Sequence, residues 1–320
     1  MPSRRTFILG AVAAGVVAGG GLATVSFRRS LAAAEDRVSV GSSSFEASYG
    51  TMEWAEAGTG TPLLMIHGTG GGFDQGLAFG RRLSAGGFRV IAPSRFGYLR
   101  SDYPDDPSSA RQADVFVELL DHLGIDRIPI VGGSAGALSA IEFAIRHPDR
   151  CSGLIALVPA TYAPKRPSLW QMTRWQERLM RAMLEWDSLF WAALNISPDT
   201  MIGTMLATDP ALVAAASADE KARVHEILSI IQPLSWRSRG LMNDARLASD
   251  PAPSDLRRIS APTLAISVED DRFGTADAAR YLAREVAGAR LVIYPQGGHV
   301  WVGHDEELSA EIGAFVRTLG

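Results

Sequence analysis

Ile128-Pro129-Ile130-Val131-Gly132-Gly133-Ser134-Ala135-Gly136 is the stretch on which the reading of this chain turns. Four apolar residues run into a G-x-S-x-G. A helical pattern then follows from Ala135 to His147, with Leu138, Ile141, Phe143, Ala144 and Ile145 closely spaced. Strand, sharp turn and helix in that order are what a nucleophilic serine needs. The turn lifts the hydroxyl above a sheet, and small flanking residues let strand and helix approach closely. G-x-S-x-G alone is a weak signal, and its setting between an apolar run and a helix strengthens it.

Outward from this turn the chain alternates β-like and helical patterns. Strand candidates are Met52–Ala57, Pro62–His67, Phe88–Pro93, Ile128–Gly132, Gly153–Val158, Pro262–Val268 and Leu291–Tyr294. Most are continuous apolar runs, as expected of strands buried on both faces of a parallel sheet. Helical patterns cover Ser108–Leu123, Ala135–His147, Thr275–Val286 and Asp305–Leu319. Such alternation predicts an α/β fold with a mostly parallel central sheet flanked by helices. It breaks between about residues 160 and 253, where Trp170, Trp175, Trp186, Trp191 and Trp236 accompany many Met and Leu. That stretch reads as amphipathic helices inserted into the α/β frame, either as plain structural packing or as a cap whose aromatic and Met side chains line an apolar substrate pocket, two readings that are compatible.

A serine hydroxyl needs a base with a pKa near neutrality, which favours histidine. Of His67, His122, His147, His225, His299 and His304, the fifth stands out. It follows the last strand candidate in Tyr294-Pro295-Gln296-Gly297-Gly298-His299, a loop able to deliver an imidazole to the top of a sheet. The base in turn needs an acid to fix its tautomer. Glu269, Asp270 and Asp271 compete for that role at the end of the strand Pro262–Val268, and Asp271 is the choice.

The order Ser134, Asp271, His299, each after a strand, resembles the α/β-hydrolase superfamily over roughly residues 50–319. Leu64-Met65-Ile66-His67-Gly68-Thr69-Gly70-Gly71 is similar to that family's oxyanion loop. Arg95-Phe96-Gly97-Tyr98-Leu99-Arg100-Ser101 is similar to the loop after its next strand. Asp271-Arg272-Phe273-Gly274-Thr275 matches its acid loop, with Thr275 where members usually carry Pro, and this register favours Asp271 over Asp270. The resemblance implies an α/β-hydrolase fold of the serine-nucleophile, capped type. Ser134, Asp271 and His299 would be catalytic. The backbone amides of Ala135 and of Thr69, with Gly70 second, would form the oxyanion hole. Such donors are each worth about 3–4 kcal/mol of barrier in comparable sites. His67 is expected to hold the oxyanion loop. A serine at the elbow argues against the dehalogenase and epoxide-hydrolase chemistries of the superfamily.

Other chemistries fit less well. The glycine run at Gly68–Gly72 fails G-x-G-x-x-G in either register. No Gly-Lys pair supports a P-loop, and no S-x-x-K occurs. His225-Glu226 has no second histidine in the metalloprotease register. No cofactor and no metal is expected, since the single cysteine, Cys151, allows neither a disulfide nor a Cys-based metal site.

The 320 residues are 47% hydrophobic and 21% charged, a globular composition that excludes disorder and a polytopic membrane protein. The formal charge is −4 without a basic block, so no nucleic-acid partner is expected. Residues 1–34 carry Arg4, Arg5, Arg28 and Arg29 and no acid, so their loss would take the charge from −4 to −8. Ser3-Arg4-Arg5-Thr6-Phe7-Ile8-Leu9 resembles a twin-arginine export motif before a Gly/Ala-rich apolar stretch, and Ala32-Ala33-Ala34 offers a peptidase site. The segment 1–34 is therefore expected to be a signal for export to the periplasm or beyond. The alternative is an uncleaved membrane anchor at residues 7–26, since about 20 apolar residues can span a bilayer.

The remaining 35–320 would form one hydrolase domain acting on a small, apolar or acyl-bearing substrate. The expected reaction is hydrolysis of an ester-like or other activated carbonyl through an acyl-enzyme. The alternatives on the same triad are carbon–carbon bond hydrolysis, lactone opening and cofactor-free perhydrolysis. A non-catalytic binding protein on the same fold is a further alternative.

Overall fold

The computed structural model describes residues 4–164, 166 and 173–319, and the backbone alone of residues 4–20 and 22. Among the described residues eight strands form one sheet: β1 (Ser43–Ala47), β2 (Gly50–Ala57), β3 (Thr61–Ile66), β4 (Phe88–Pro93), β5 (Ile128–Gly133), β6 (Cys151–Leu157), β7 (Thr263–Val268) and β8 (Arg290–Tyr294). Their order is β1-β2-β4-β3-β5-β6-β7-β8. The pairings β1–β2 and β2–β4 are antiparallel, and all pairings from β4 through β3 to β8 are parallel. The fold is the α/β-hydrolase fold expected from the sequence.

The apolar runs explain the parallel part. Every residue of β5 and β7 is buried. Alternate side chains divide between two cores, as a strand's two-residue period requires. Leu64, Ile66, Ile130, Leu154 and Ala265 point to one core, filled by Phe116 of α4 (Ser109–His122), Phe143 of α5 (Gly136–Arg146) and Leu282 of α12 (Thr275–Glu285). Leu63, Met65, Val131, Ile155 and Ile266 point to the other, filled by Leu83 of α3 (Arg81–Ala85) and by Leu308, Ile312 and Phe315 of α13 (Asp305–Arg317).

Three elements were not expected from the pattern. β1 carries one large apolar residue, Phe45, and is mostly exposed; its order comes from pairing with β2 rather than from its own burial. α2 (Phe73–Phe79) and α3 are too short to show a period, and α2 has Gly76 at its centre. That glycine allows close approach to the sheet, since a Cβ there would lie 2.8 Å from Ala92 Cβ.

Among the described residues six α-helices stand between β6 and β7: α6 (Arg174–Leu184), α7 (Asp187–Ile196), α8 (Pro198–Met205), α9 (Pro210–Ala215), α10 (Ala218–Ile230) and α11 (Ser238–Ser249). They share a core of their own around Ile202, Val224, Ile227 and Ile231. Trp170 lies outside the described residues.

At the N-terminus, α1 (Arg4–Ser39) runs unbroken through Ala32-Ala33-Ala34. Its last turns lie against the body. Ala34 and Val38 are buried, and the Phe27 ring meets the Trp191 ring edge-on at 5.7 Å. Arg37 donates to the carbonyls of Ile230 and Gln232. Among the described residues no helix is long and apolar enough to cross a membrane.

Candidate active site

The elbow after β5 shows why this stretch of sequence is so constrained. Ser134 has φ 51°, a left-handed conformation that side-chain-bearing residues rarely hold. The turn is pinned on both sides: the Ser134 amide donates to Leu157 O at 2.9 Å, and the Ala160 amide donates to Ser134 O at 3.1 Å. A Cβ at Gly136 would stand 2.5 Å from His67 O, and one at Gly132 would stand 2.6 Å from Ala137 Cα. Only glycine lets α5 start this close to β3 and β5.

The structure brings the three expected side chains together from the ends of β5, β7 and β8. His299 Nε2 lies 2.9 Å from Ser134 Oγ, and His299 Nδ1 lies 2.8 Å from Asp271 Oδ2. His299 and Asp271 are buried and Ser134 is half-buried. Burial alone would raise the Asp271 carboxyl; the neighbouring His299 ring, the Thr275 hydroxyl and the Phe273 amide outweigh it and hold the group below the usual carboxylate range. Carboxylate and imidazole are thus set so that Nδ1–H donates and Nε2 is free to accept from Ser134.

The competing acids have other partners. Asp270 accepts the Gly298 amide at 2.8 Å and so holds the histidine loop, while Glu269 pairs with Arg280. His304 stacks on Tyr294 and faces Glu307. Phe273 meets the His299 ring edge-on at 4.9 Å.

In the sequence Thr275 stands out only as a departure from the family pattern. Its hydroxyl donates to Asp271 Oδ2 and accepts from Ser267 Oγ at 2.9 Å, so it holds the same carboxylate oxygen that faces His299 Nδ1.

The loop after β3 carries Thr69 exposed and Gly70 buried. The Gly70 amide donates to Tyr98 Oη at 3.2 Å, so this expected second donor is already engaged, a correction to the expectation for Gly70. Among the described residues no acceptor takes the amide of Thr69 or of Ala135. His67 does hold the loop. Its Nδ1–H donates to Gly68 O at 2.7 Å, and its Nε2 accepts the Arg95 amide at 3.0 Å. Burial, reinforced by the Arg95 charge, pushes His67 well below the usual imidazole range, so it is neutral.

Two buried ion pairs tie this loop to the inserted helices, and neither was visible in the sequence. Arg95 meets Asp244 of α11 through two hydrogen bonds while donating to the carbonyls of His67 and Gly68. Tyr98 Oη donates to the same carboxylate at 2.5 Å. Arg237, just before α11, pairs with Asp74 of α2 at 2.7 Å and donates to Gly71 O. Arg95 and Tyr98 lay in a quoted motif, but spacing rules give Asp244 and Arg237 no signal.

The inserted helices reach the site through small contacts, Ile231 against Gly70 and Thr208 against Gly298. The expectation that the tryptophans of this region line a pocket is not met by Trp175 and Trp186, which are 63% and 61% exposed, or by Trp191, which packs on Phe27. Among the described residues no group of three or more His, Cys, Asp or Glu is arranged to hold a metal ion.

Residues 61–302 match the family model described as alpha/beta hydrolase fold, and the chain belongs to that family. It is 27% identical over 279 residues to an uncharacterized hydrolase of Bacillus subtilis, covering 83% of this chain and 94% of that protein. It is 28% identical over 256 residues to a 2-hydroxy-6-oxononadienedioate/2-hydroxy-6-oxononatrienedioate hydrolase of Paraburkholderia xenovorans, covering 78% and 84%. The solved esterase of Exiguobacterium antarcticum shares the fold with a TM-score of 0.65 at 19% identity, covering 86% of this chain and 99% of that one. The chain is a hydrolase of the alpha/beta fold.

Proposed function

We propose that this enzyme hydrolyses ester-like or otherwise activated carbonyl compounds through an acyl-enzyme on Ser134. The observation that carries the proposal is the chain of two hydrogen bonds, 2.9 Å from Ser134 Oγ to His299 Nε2 and 2.8 Å from His299 Nδ1 to Asp271 Oδ2. In this reading His299 takes the hydroxyl proton as Ser134 Oγ bonds to the carbonyl carbon. Asp271 supports the imidazolium. The amides of Ala135, at the start of α5, and of Thr69 receive the oxyanion. The proton passes to the leaving group, and water, deprotonated by the same imidazole, releases the acyl group. The helices between β6 and β7 act as the cap that selects a small apolar or acyl-bearing substrate.

A second reading, carbon–carbon bond hydrolysis on the same triad, is favoured by the relative from Paraburkholderia xenovorans, whose name gives a 2-hydroxy-6-oxo dienedioate as its substrate. A panel of activated esters of graded acyl length beside a 2-hydroxy-6-oxo dienoate separates the two by kcat/KM. Ser134→Ala should abolish whichever activity is found. Unchanged turnover in that variant would refute both readings.

The arginine pair Arg4-Arg5 before an apolar stretch supports export as a further part of this reading. The mass of the chain recovered from the periplasm checks it. A chain ending its N-terminus after Ala34 is the cleaved form, a full-length chain in the membrane fraction is the anchored one, and a cytosolic chain contradicts export.

A further inference from the structure

The oxyanion loop has little of its own to hold it. Between Gly68 and Gly72 only Thr69 carries a side chain, and glycines leave the main chain free to take many shapes. The form of the loop is therefore set by what touches it from outside. Arg95 and Gln75 hold Gly68. Beyond it, Tyr98 meets the Gly70 amide and Arg237 donates to Gly71 O. Ile231 rests against Gly70, where an added Cβ would lie 3.4 Å from Ile231 Cγ1.

The contacts made by Arg237 and Ile231 both lead back to Arg37 of α1. Its guanidinium stands 3.6 Å from Asp74 Oδ2, the same oxygen that Arg237 meets at 2.7 Å. It also donates to Ile230 O at 3.3 Å and to Gln232 O, the carbonyls on either side of Ile231. α10 ends at Ile230, so the Ile230 carbonyl has no partner within its own helix. Gln232 O accepts from Arg237 as well, at 3.5 Å. Arg37 is 37% exposed and closes this cluster from the solvent side. It thereby fixes the segment that sets Ile231 on Gly70, and it shares the acid that orients Arg237 toward Gly71.

The last turns of α1 are seated so as to hold Arg37 there. Phe27, Leu31, Ala34 and Val38 recur at helical spacing and are buried or half-buried, while residues 28, 29, 32, 33 and 36 are exposed. Phe27 meets Trp191 of α7, and Val38 enters a cluster with Phe73 of α2, Ala55 and Ala92. Phe27, Leu31 and Ala34 fall within the segment 1–34, so trimming after Ala34 removes three of the four residues that seat Arg37. We infer that Arg37 is a positioning residue for the oxyanion hole, carried by the docked turns of α1, which makes the N-terminal helix a working part of the enzyme.

The inference rests on the acyl-enzyme reading of Ser134, and the experiment separates the two. Full-length enzyme and variants are titrated with a fluorophosphonate to count reactive Ser134 sites, and kcat and KM for an activated ester are taken per titrated site. A trifluoromethyl ketone, whose adduct with a serine places an oxyanion in the hole, is the second probe. Arg37→Gln leaves Asp74 paired with Arg237, so no acid is stranded. Per site it should lower kcat about 10-fold with KM nearly unchanged, and weaken the ketone by the same factor. Arg37→Lys keeps a charge beside Asp74 but has no fork for the carbonyls, so it should fall between Arg37→Gln and the wild type. It carries the comparison alone where Arg37→Gln yields too few titrated sites. Arg29→Gln, on the exposed side of α1, should match the wild type. Unchanged kcat and ketone affinity in the Arg37 variants would overturn the inference. So would a fall in kcat with ketone affinity unmoved, or an equal loss in Arg29→Gln. A wild-type enzyme that takes no label would instead overturn the Ser134 reading, and the inference with it.

Discussion

Arg95 and Asp244 face each other as a two-pronged buried pair, Nη1 to Oδ1 at 2.7 Å and Nη2 to Oδ2 at 2.6 Å. Arg95 belongs to the loop after β4 and Asp244 to α11, so the pair bridges the sheet and the inserted helices directly beneath Gly68. Removing one partner strands the other charge in the interior, which costs about 3–5 kcal/mol. Asp244→Ala should lose stability on that scale in chemical denaturation. Arg95→Met with Asp244→Leu should recover much of it, since the stranded charge is gone. A loss under about 1 kcal/mol for Asp244→Ala would show that the pair is not buried as described.

His67 gives a stability that depends on pH. Its Nε2 accepts the Arg95 amide, and burial holds it neutral, with a pKa well below that of the unfolded chain. Below about 6.5 the unfolded state takes up a proton that the folded state does not. The contribution of His67 is therefore whole above about 6.5 and is lost as pH falls, by about 1.4 kcal/mol per pH unit, until the folded pKa is reached. Urea midpoints measured from pH 7 downward should show this slope, and His67→Gln should flatten it. An equal slope in the variant would remove His67 as its source.

Thr275 positions the acid. Its hydroxyl donates to Asp271 Oδ2 and receives Ser267. A hydrogen bond to a charged acceptor is worth about 1.5–3 kcal/mol. Thr275→Val should lower kcat by about 10- to 100-fold with KM nearly unchanged, and Thr275→Ser should restore most of it. If KM rises instead, the residue acts on substrate binding rather than through Asp271.

Gly136 is where the elbow tolerates no side chain. Its added Cβ would meet two main-chain oxygens, His67 O at 2.5 Å and Ile66 O at 2.7 Å, and neither can move aside alone. Gly136→Ala should cost about 1–3 kcal/mol by overpacking and reduce turnover by displacing Ser134. Unaltered stability would show that strand and helix are further apart than they appear.

What the sequence made legible follows from where physics acts locally. β4 spans Phe88–Pro93 as its apolar run predicts, and the elbow was readable because sterics demand small residues at 132 and 136. Ser134, Asp271 and His299 each follow a strand, so chain order carried the geometry. β1 escaped because an exposed edge strand needs no apolar run, and α2 because seven residues with a central glycine show no period. Asp244 and Arg237 escaped because their partners, Arg95 and Asp74, are 149 and 163 residues away, and no local rule links them. The loop motif offers Gly70 as a donor second to Thr69; the Tyr98 hydroxyl that its amide meets comes from another loop.

Every step proposed for this site depends on Ser134 as the nucleophile activated by His299. Peptide mapping by mass spectrometry after treatment with a fluorophosphonate tests it most directly. One phosphonyl adduct is expected, on the peptide that carries Ser134, absent in Ser134→Ala and formed far more slowly in His299→Ala. An adduct at another residue, or an unlabelled enzyme that still hydrolyses its substrate in the presence of the reagent, would contradict it.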